Sequence, residues 1–176
     1  MKLKCTLSLA LAGLLSGLTI AQAQVATYAT VPVTGCPTCT ATDPSNLKVE
    51  AIGHQVYGYP TGWDVWTSAA EHLVVVNGIG ADFTLPNTTF DLTRLKLFGY
   101  SIRSKTVVPL TYNLIAYHPN NPIPDVVPFT IPARVISTVD LSVYPQLKNL
   151  EKVSVSFPAT SFIGKTYFIE TQFTPH

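Results

Sequence analysis

Lys152-Val153-Ser154-Val155-Ser156-Phe157 places Val153, Val155 and Phe157 on one side of an extended chain and Lys152, Ser154 and Ser156 on the other. A helix would scatter these residues around its axis; a strand sorts them into an apolar face and a wet one. The same period of two recurs in Arg94-Leu95-Lys96-Leu97, leucines in and basic residues out. It recurs again where Val135, Ser137, Val139 and Leu141 oppose Ile136, Thr138 and Asp140. Such strands are half buried and antiparallel, with one face on a core.

Working outward, β-favouring runs are expected at Leu47 to Tyr57, His72 to Val76, Phe83 to Leu85, Phe90 to Phe98, Leu110 to Tyr117, Arg134 to Val143, Glu151 to Phe157 and Thr166 to Phe173. Turn chemistry separates them: Gly58-Tyr59-Pro60-Thr61-Gly62, Asn77-Gly78-Ile79-Gly80, Pro86-Asn87, Pro119-Asn120-Asn121-Pro122, Pro145 and Pro158. Helical periodicity is weak, and only Thr67 to Glu71 and Tyr144 to Asn149 have room for a turn or two. About eight strands at this spacing define an all-β fold, a two-sheet antiparallel β-sandwich of jelly-roll type. The Cys…Trp…Cys spacing of an immunoglobulin domain is absent, and there is no internal repeat.

Upstream, Met1 to Ala23 combines Lys2 and Lys4, an apolar stretch from Leu7 to Ile20 and the small-x-small triplet Ala21-Gln22-Ala23. This is the pattern of a cleaved signal peptide (1–23), and its apolar stretch is shorter than the ~20 residues a bilayer span needs. Export to an extracellular, secreted location is expected, with no membrane span. Removing Lys2 and Lys4 with the leader turns the formal charge of +1 into −1. Duplex nucleic acid is therefore not an indicated partner. All 14 prolines and all 18 aromatic residues lie in the 153 residues that remain, enough chain for one core without a disulfide framework.

Residues 24–46 read as an extended Thr/Pro-rich arm before a sandwich domain at 47–176. The arm holds Gly35-Cys36-Pro37-Thr38-Cys39. In an oxidising compartment Cys36 and Cys39 most simply close a small local disulfide loop; crosslinking between chains, or redox and metal chemistry, are the alternatives. A thioredoxin-type site needs a helix opening at the first cysteine, and the Thr-, Val- and Pro-rich flanks offer none. His54, His72, His118 and His176 are scattered singly, so no metal site and no cofactor is expected.

Tyr57-Gly58-Tyr59-Pro60-Thr61-Gly62-Trp63-Asp64-Val65-Trp66 concentrates both tryptophans and two tyrosines in ten residues. Aromatic rings in a glycine-bearing loop stack on the C–H faces of sugars, while a nearby Asp64 or Asn77 takes hydroxyl hydrogen bonds. Tyr57, Tyr59, Trp63, Asp64 and Trp66 are therefore the candidate ligand-binding residues. The competing reading is that Trp63 or Trp66 plugs the end of the sandwich. Arg94, Lys96, Arg103 and Lys105 form a basic set on neighbouring outward faces if 98–101 turns; it fits either an acidic polysaccharide or a solvated face that discourages edge pairing. Asn87-Thr88-Thr89 is an N-glycosylation sequon on a Pro-preceded turn.

Catalytic patterns are missing: no Gly-x-Ser-x-Gly, no His-Glu-x-x-His, no phosphate-cradling glycine loop and no dinucleotide fingerprint. Asp64, Glu71 and Asp82 are the carboxylates near enough in sequence to form an acid pair or hold calcium. In a sandwich such residues ordinarily cap loops.

Phe90-Asp91-Leu92-Thr93-Arg94-Leu95-Lys96-Leu97, then Leu110-Thr111-Tyr112-Asn113-Leu114-Ile115-Ala116-Tyr117, then Leu150-Glu151-Lys152-Val153-Ser154-Val155-Ser156-Phe157 resemble a recurring arrangement in small secreted proteins, notably fungal ones. Those proteins are similar to galactose-binding-domain-like jelly rolls. Gly62-Trp63-Asp64-Val65-Trp66 resembles the aromatic-rich loop they carry before the first inner strand. The resemblance spans about Tyr57 to Phe157 and implies the fold more than an activity. The function expected is non-catalytic binding of carbohydrate or a cell-wall surface by a secreted protein. The alternatives are a secreted, effector-like domain that meets a host or surface protein, and a polysaccharide hydrolase using Asp64, Glu71 or Asp82.

Overall fold

Period-two alternation becomes two facing sheets in the computed structural model, which describes residues 21–27, 41–42, 45–52, 55–59, 73–77, 80–100, 108–156 and 165–176. The strands are β1 (Gln24–Ala26), β2 (Ala41–Thr42), β3 (Lys48–Ile52), β4 (Gln55–Tyr59), β5 (Leu73–Asn77), β6 (Gly80–Thr84), β7 (Phe90–Tyr100), β8 (Pro109–Tyr117), β9 (Asp125–Pro132), β10 (Ile136–Asp140), β11 (Lys152–Ser156) and β12 (Lys165–Pro175). One 3-10 turn, Pro145–Leu147, lies where a short helical turn is expected.

Sheet A has the order β10-β7-β12-β5-β4, with β1 also on β12; sheet B has the order β2-β3-β6-β11-β8-β9. Every pairing is antiparallel. Counting β5 as first and β12 as eighth, sheet A reads first-eighth-third-sixth and sheet B second-seventh-fourth-fifth. That order is the jelly roll: the chain crosses from sheet to sheet so that its first and last strands end up neighbours. The β3–β4 pair widens both sheets, β3 lying on β6 and β4 on β5.

The core fills the gap between the sheets. Leu95 and Leu97 from β7, Leu114 from β8, and Val153 and Val155 from β11 are fully buried, as their alternation requires. Phe83 on β6 meets Phe168 on β12 edge to face at 5.0 Å, Phe90 meets Phe173 at 6.2 Å, and Tyr112 stacks on Phe129 at 5.1 Å. Each such ring contributes on the order of 2–3 kcal/mol through burial, and edge-to-face pairs somewhat more.

Four expectations are corrected. The run Leu47 to Tyr57 is not one strand: β3 belongs to sheet B and β4 to sheet A, a change of sheet that alternation alone does not record. β9 reads as a connection because Pro124, Pro128 and Pro132 crowd it; it is the edge strand of sheet B, where one hydrogen-bonding side is unpaired and proline is tolerated. β7 runs unbroken to Tyr100, so 98–100 is strand and does not begin the turn on which the expected basic set depends. Arg94 instead pairs with Glu170 of β12 at 2.5 Å, while Arg103 and Lys105 lie outside the described residues. Finally, β10 is shorter than Arg134 to Val143. It ends where Asp140 Oδ1 accepts hydrogen bonds from Ser142 N at 3.0 Å and Ser142 Oγ at 2.6 Å, which hold that carboxyl below its ordinary pKa.

Two pieces of the Thr/Pro-rich segment pair with the sandwich. β1 lies along residues 171–173 of β12, and β2 along residues 48–49 of β3.

Candidate ligand-binding site

β4 carries Tyr57 and Tyr59 and is the edge strand of sheet A; the aromatic-rich segment leaves from its end and the chain returns as β5. Trp63, Asp64 and Trp66 lie outside the described residues. Register places Tyr57 opposite Val75, Val75 opposite Tyr167, Tyr167 opposite Phe98 and Phe98 opposite Ile136. One row therefore crosses all five strands, from the β10 edge to Tyr57 on the other.

Phe98 and Tyr167, the middle of that row, face the outer side of sheet A. Phe98 and Tyr167 are buried, yet neither belongs to the cluster between the sheets, which is built instead from their chain neighbours Leu97 and Phe168. Their rings meet edge to face at 5.4 Å. Where β7 meets β12, sheet A is thus apolar on both faces. The sequence carries the signal: Leu97-Phe98 and Tyr167-Phe168-Ile169 put apolar residues side by side, and neighbours in a strand point to opposite faces.

The outer face of sheet B is polar over β6 and β11 and turns apolar towards β8 and β9. A row across it runs Glu50, Asp82, Ser154, Ile115 and Val126, from β3 to β9. Ser154 Oγ donates to Asp82 Oδ1 at 2.5 Å, Lys152 Nζ reaches Asp82 Oδ2 at 3.3 Å, and the same ammonium sits 4.3 Å from the centre of the Tyr117 ring. Asp82 is therefore engaged in a cross-strand network that ties β6 to β11 and β8. Glu71 and Asp64 lie outside the described residues, so the acid trio is not brought together there. Among the described residues no three His, Cys, Asp or Glu side chains gather as metal ligands.

Asn87 stands exposed in the turn between β6 and β7 with φ 61°, a left-handed conformation that asparagine tolerates better than most residues. The rest of its sequon is fixed. Thr89 Oγ1 donates to Asn149 Oδ1 at 2.7 Å, Thr88 Oγ1 donates to the His176 carbonyl, and His176 Nε2 lies 2.6 Å from Asp91 Oδ1. Cys36 and Cys39 lie outside the described residues. No helix among the described residues is long and apolar enough to cross a membrane.

The arrangement defines an antiparallel jelly-roll sandwich with Tyr57 and Tyr59 on the edge strand of sheet A and no assembled catalytic group among the described residues. No family model and no curated protein matches the chain. Similar solved structures include a family two carbohydrate esterase from Cellvibrio japonicus, 15% identical with a TM-score of 0.38 over 88% of this chain, which spans only 35% of that one. A non-crystalline cellulose-specific carbohydrate-binding module, CBM28, is 12% identical with a TM-score of 0.37 over 71% of this chain and 78% of its own. A CBM4 structure is 11% identical with a TM-score of 0.31 over 89% and 88%.

Proposed function

We propose that this is an exported, non-catalytic protein that binds carbohydrate or a cell-wall polymer, with Tyr57, Tyr59, Trp63, Asp64 and Trp66 as its contact surface. The observation that supports this reading is the position of β4. Tyr57 and Tyr59 lie on the edge strand of sheet A, and Tyr57 is in register with a row whose inner members Phe98 and Tyr167 are buried. An edge strand is open to a polymer on the side that no other strand covers, and pre-ordered contact residues favour affinity. Ring stacking supplies the apolar part of sugar recognition and Asp64 an acceptor for hydroxyls. Export by cleavage after Ala23, a Cys36–Cys39 disulfide and a glycan on Asn87 belong to the same reading.

The test is retention on insoluble polysaccharides and a glycan array, with Trp63→Ala and Trp66→Ala each paired with a melting curve. Lost retention at unchanged melting temperature supports a contact surface. Lost stability at unchanged retention assigns the tryptophans to plugging the sandwich. A wild-type protein that binds no wall polymer moves the reading to an effector-like protein-interaction domain. Turnover of a polysaccharide abolished by Asp64→Asn would restore the hydrolase.

A further inference from the structure

A short stretch around Ala23 sets where an exported chain begins. Ala21, Gln22 and Ala23 are exposed and belong to no strand, whereas Gln24 is the first residue of β1. The small-x-small triplet thus ends one residue before pairing starts, and a cut after Ala23 removes nothing that the sheet holds. β7 runs along one edge of β12 from Lys165 to Pro175, so β5 and β1 share the other: β5 takes residues 165–168 and β1 residues 171–173.

Gln24 lies opposite Phe173, Val25 opposite Gln172 and Ala26 opposite Thr171. Ala26, Thr171 and Phe173 are fully buried, while Gln24 and Val25 are exposed. A chain end is ordered when pairing ties it down; here the backbone of 24–26 is tied to β12 and the Gln24 side chain is left in water. An α-ammonium deprotonates roughly 2.5 pH units below a lysine ammonium, so near neutral pH part of it is free, nucleophilic amine. In a chain that opens with glutamine this amine is separated from its own side-chain amide only by Cα, Cβ and Cγ. That spacing closes an unstrained five-membered ring.

We propose that Gln24 is a modification site: in the exported chain it cyclises to pyroglutamate, so that β1 begins with an uncharged lactam. The inference rests on the export reading, because only cleavage after Ala23 frees the Gln24 nitrogen. The α-nitrogen attacks Cδ and a C–N bond forms. The bond from Cδ to Nε2 breaks, and Nε2 leaves as ammonia with the proton that the α-nitrogen gives up. Nothing is oxidised or reduced and no co-reactant is consumed. The exposed Gln24 side chain is free to fold back in this way without disturbing the buried Ala26. The product has lost the charge of the chain terminus, as an acetylated end does. Docking and ring closure then protect the same end: pairing withdraws Ala26 from solvent, and the lactam removes the ammonium that aminopeptidases grip.

The test is mass spectrometry and stepwise N-terminal degradation of the exported protein beside its Gln24→Asn and Gln24→Glu variants. Asparagine is one carbon too short to close the ring, and glutamate presents an ionised carboxylate, a poor electrophile, so both keep a free amine. The wild type is expected to begin at residue 24, one ammonia lighter than the open chain. It should give no sequence until a pyroglutamyl peptidase, acting on the unfolded chain, removes that residue and exposes Val25. Both variants are expected to lose the blocked end and the mass deficit. A wild type that begins with an open Gln24 overturns the proposal and leaves the export reading standing. A chain that begins at another residue overturns the cleavage boundary and the proposal together. A mass deficit that persists in both variants lies elsewhere in the chain and also overturns it.

Discussion

The Tyr112 hydroxyl on β8 lies 3.2 Å from Thr166 Oγ1 on β12, a polar contact that joins the two sheets inside an apolar core. Tyr112 is almost wholly buried and Thr166 nearly so. A hydroxyl held there keeps its hydrogen bond but is costly to ionise.

Burial pushes the Tyr112 hydroxyl up to about 12, and its hydrogen bond to Thr166 offsets only part of that shift. The unfolded chain releases this proton near pH 10, whereas the folded chain retains it to about 12. The stability tied to neutral Tyr112 is therefore complete below pH ~10 and is lost as pH rises through ~12, on the order of 2 kcal/mol. Urea unfolding between pH 9 and 12 is expected to show this alkaline decline, and Tyr112→Phe to flatten it. Identical pH profiles for the two proteins would refute the assignment.

Gly99 on β7 lies under the same hydroxyl. A β-carbon added there would collide with the Tyr112 oxygen and approach Leu110 Cδ1 to 2.6 Å. Gly99→Ala is expected to cost about 1–3 kcal/mol by overpacking, although alanine suits a strand better than glycine does. Adding Tyr112→Phe removes the colliding oxygen, so the double variant should be more stable than the sum of the two single losses implies. Chemical denaturation of all four proteins measures the coupling.

Asp82 accepts from a Ser154 hydroxyl that is only 4% exposed with its residue, and from a Lys152 ammonium that is still partly in water. Asp82→Ala is expected to lose about 1–2 kcal/mol, chiefly by stranding the serine hydroxyl. Asp82→Asn keeps an acceptor for Ser154 and gives up a solvent-screened ion pair, so its loss should stay below ~1 kcal/mol and shrink with added salt. Equal losses for both substitutions would mean that the charge, and not the buried serine, carries the effect.

Mass spectrometry of the unreduced, exported protein is expected to show a chain beginning near Gln24, lighter by two hydrogens than its reduced form, and bearing a glycan on Asn87 where the host attaches one. A mass that begins at Met1 would remove the export reading. Asn87 holds a left-handed φ of 61° that glutamine adopts less readily, so Asn87→Gln should lower the stability of the unglycosylated chain slightly, by up to about 1 kcal/mol, while the Thr88 and Thr89 contacts to His176 and Asn149 keep the turn in place.

Much of the fold is legible in local sequence because alternation is a local property. Leu95, Leu97, Val153 and Val155 point inward since any strand built from those residues must bury them. The strands at Phe90, Leu110 and Glu151 are found within a few residues of where alternation puts them. β9 escapes because three prolines argue against a strand unless one knows that it lies on an edge. The outer aromatic row escapes for a related reason. Phe98 and Tyr167 read as members of one core, and only pairing shows that they face away from it. Arg94 and Lys96 look like a free basic face because Glu170, 76 residues after Arg94, becomes a neighbour only when β12 lies down beside β7.

The sequence by itself determined that this protein is an antiparallel β-sandwich, since period-two burial, turn residues and the want of helical periodicity act within a few residues of one another. It also marked the Tyr57 to Trp66 segment as unusual. The tertiary structure alone decided which strands are neighbours, that β3 and β4 part into different sheets, and that β4 ends sheet A. Those outcomes depend on contacts between residues far apart in the chain, whose cost in loop entropy is recovered only when the whole core closes. Tyr57 thereby gains a place, on an edge strand in register with Tyr167 and Phe98, that no local pattern records.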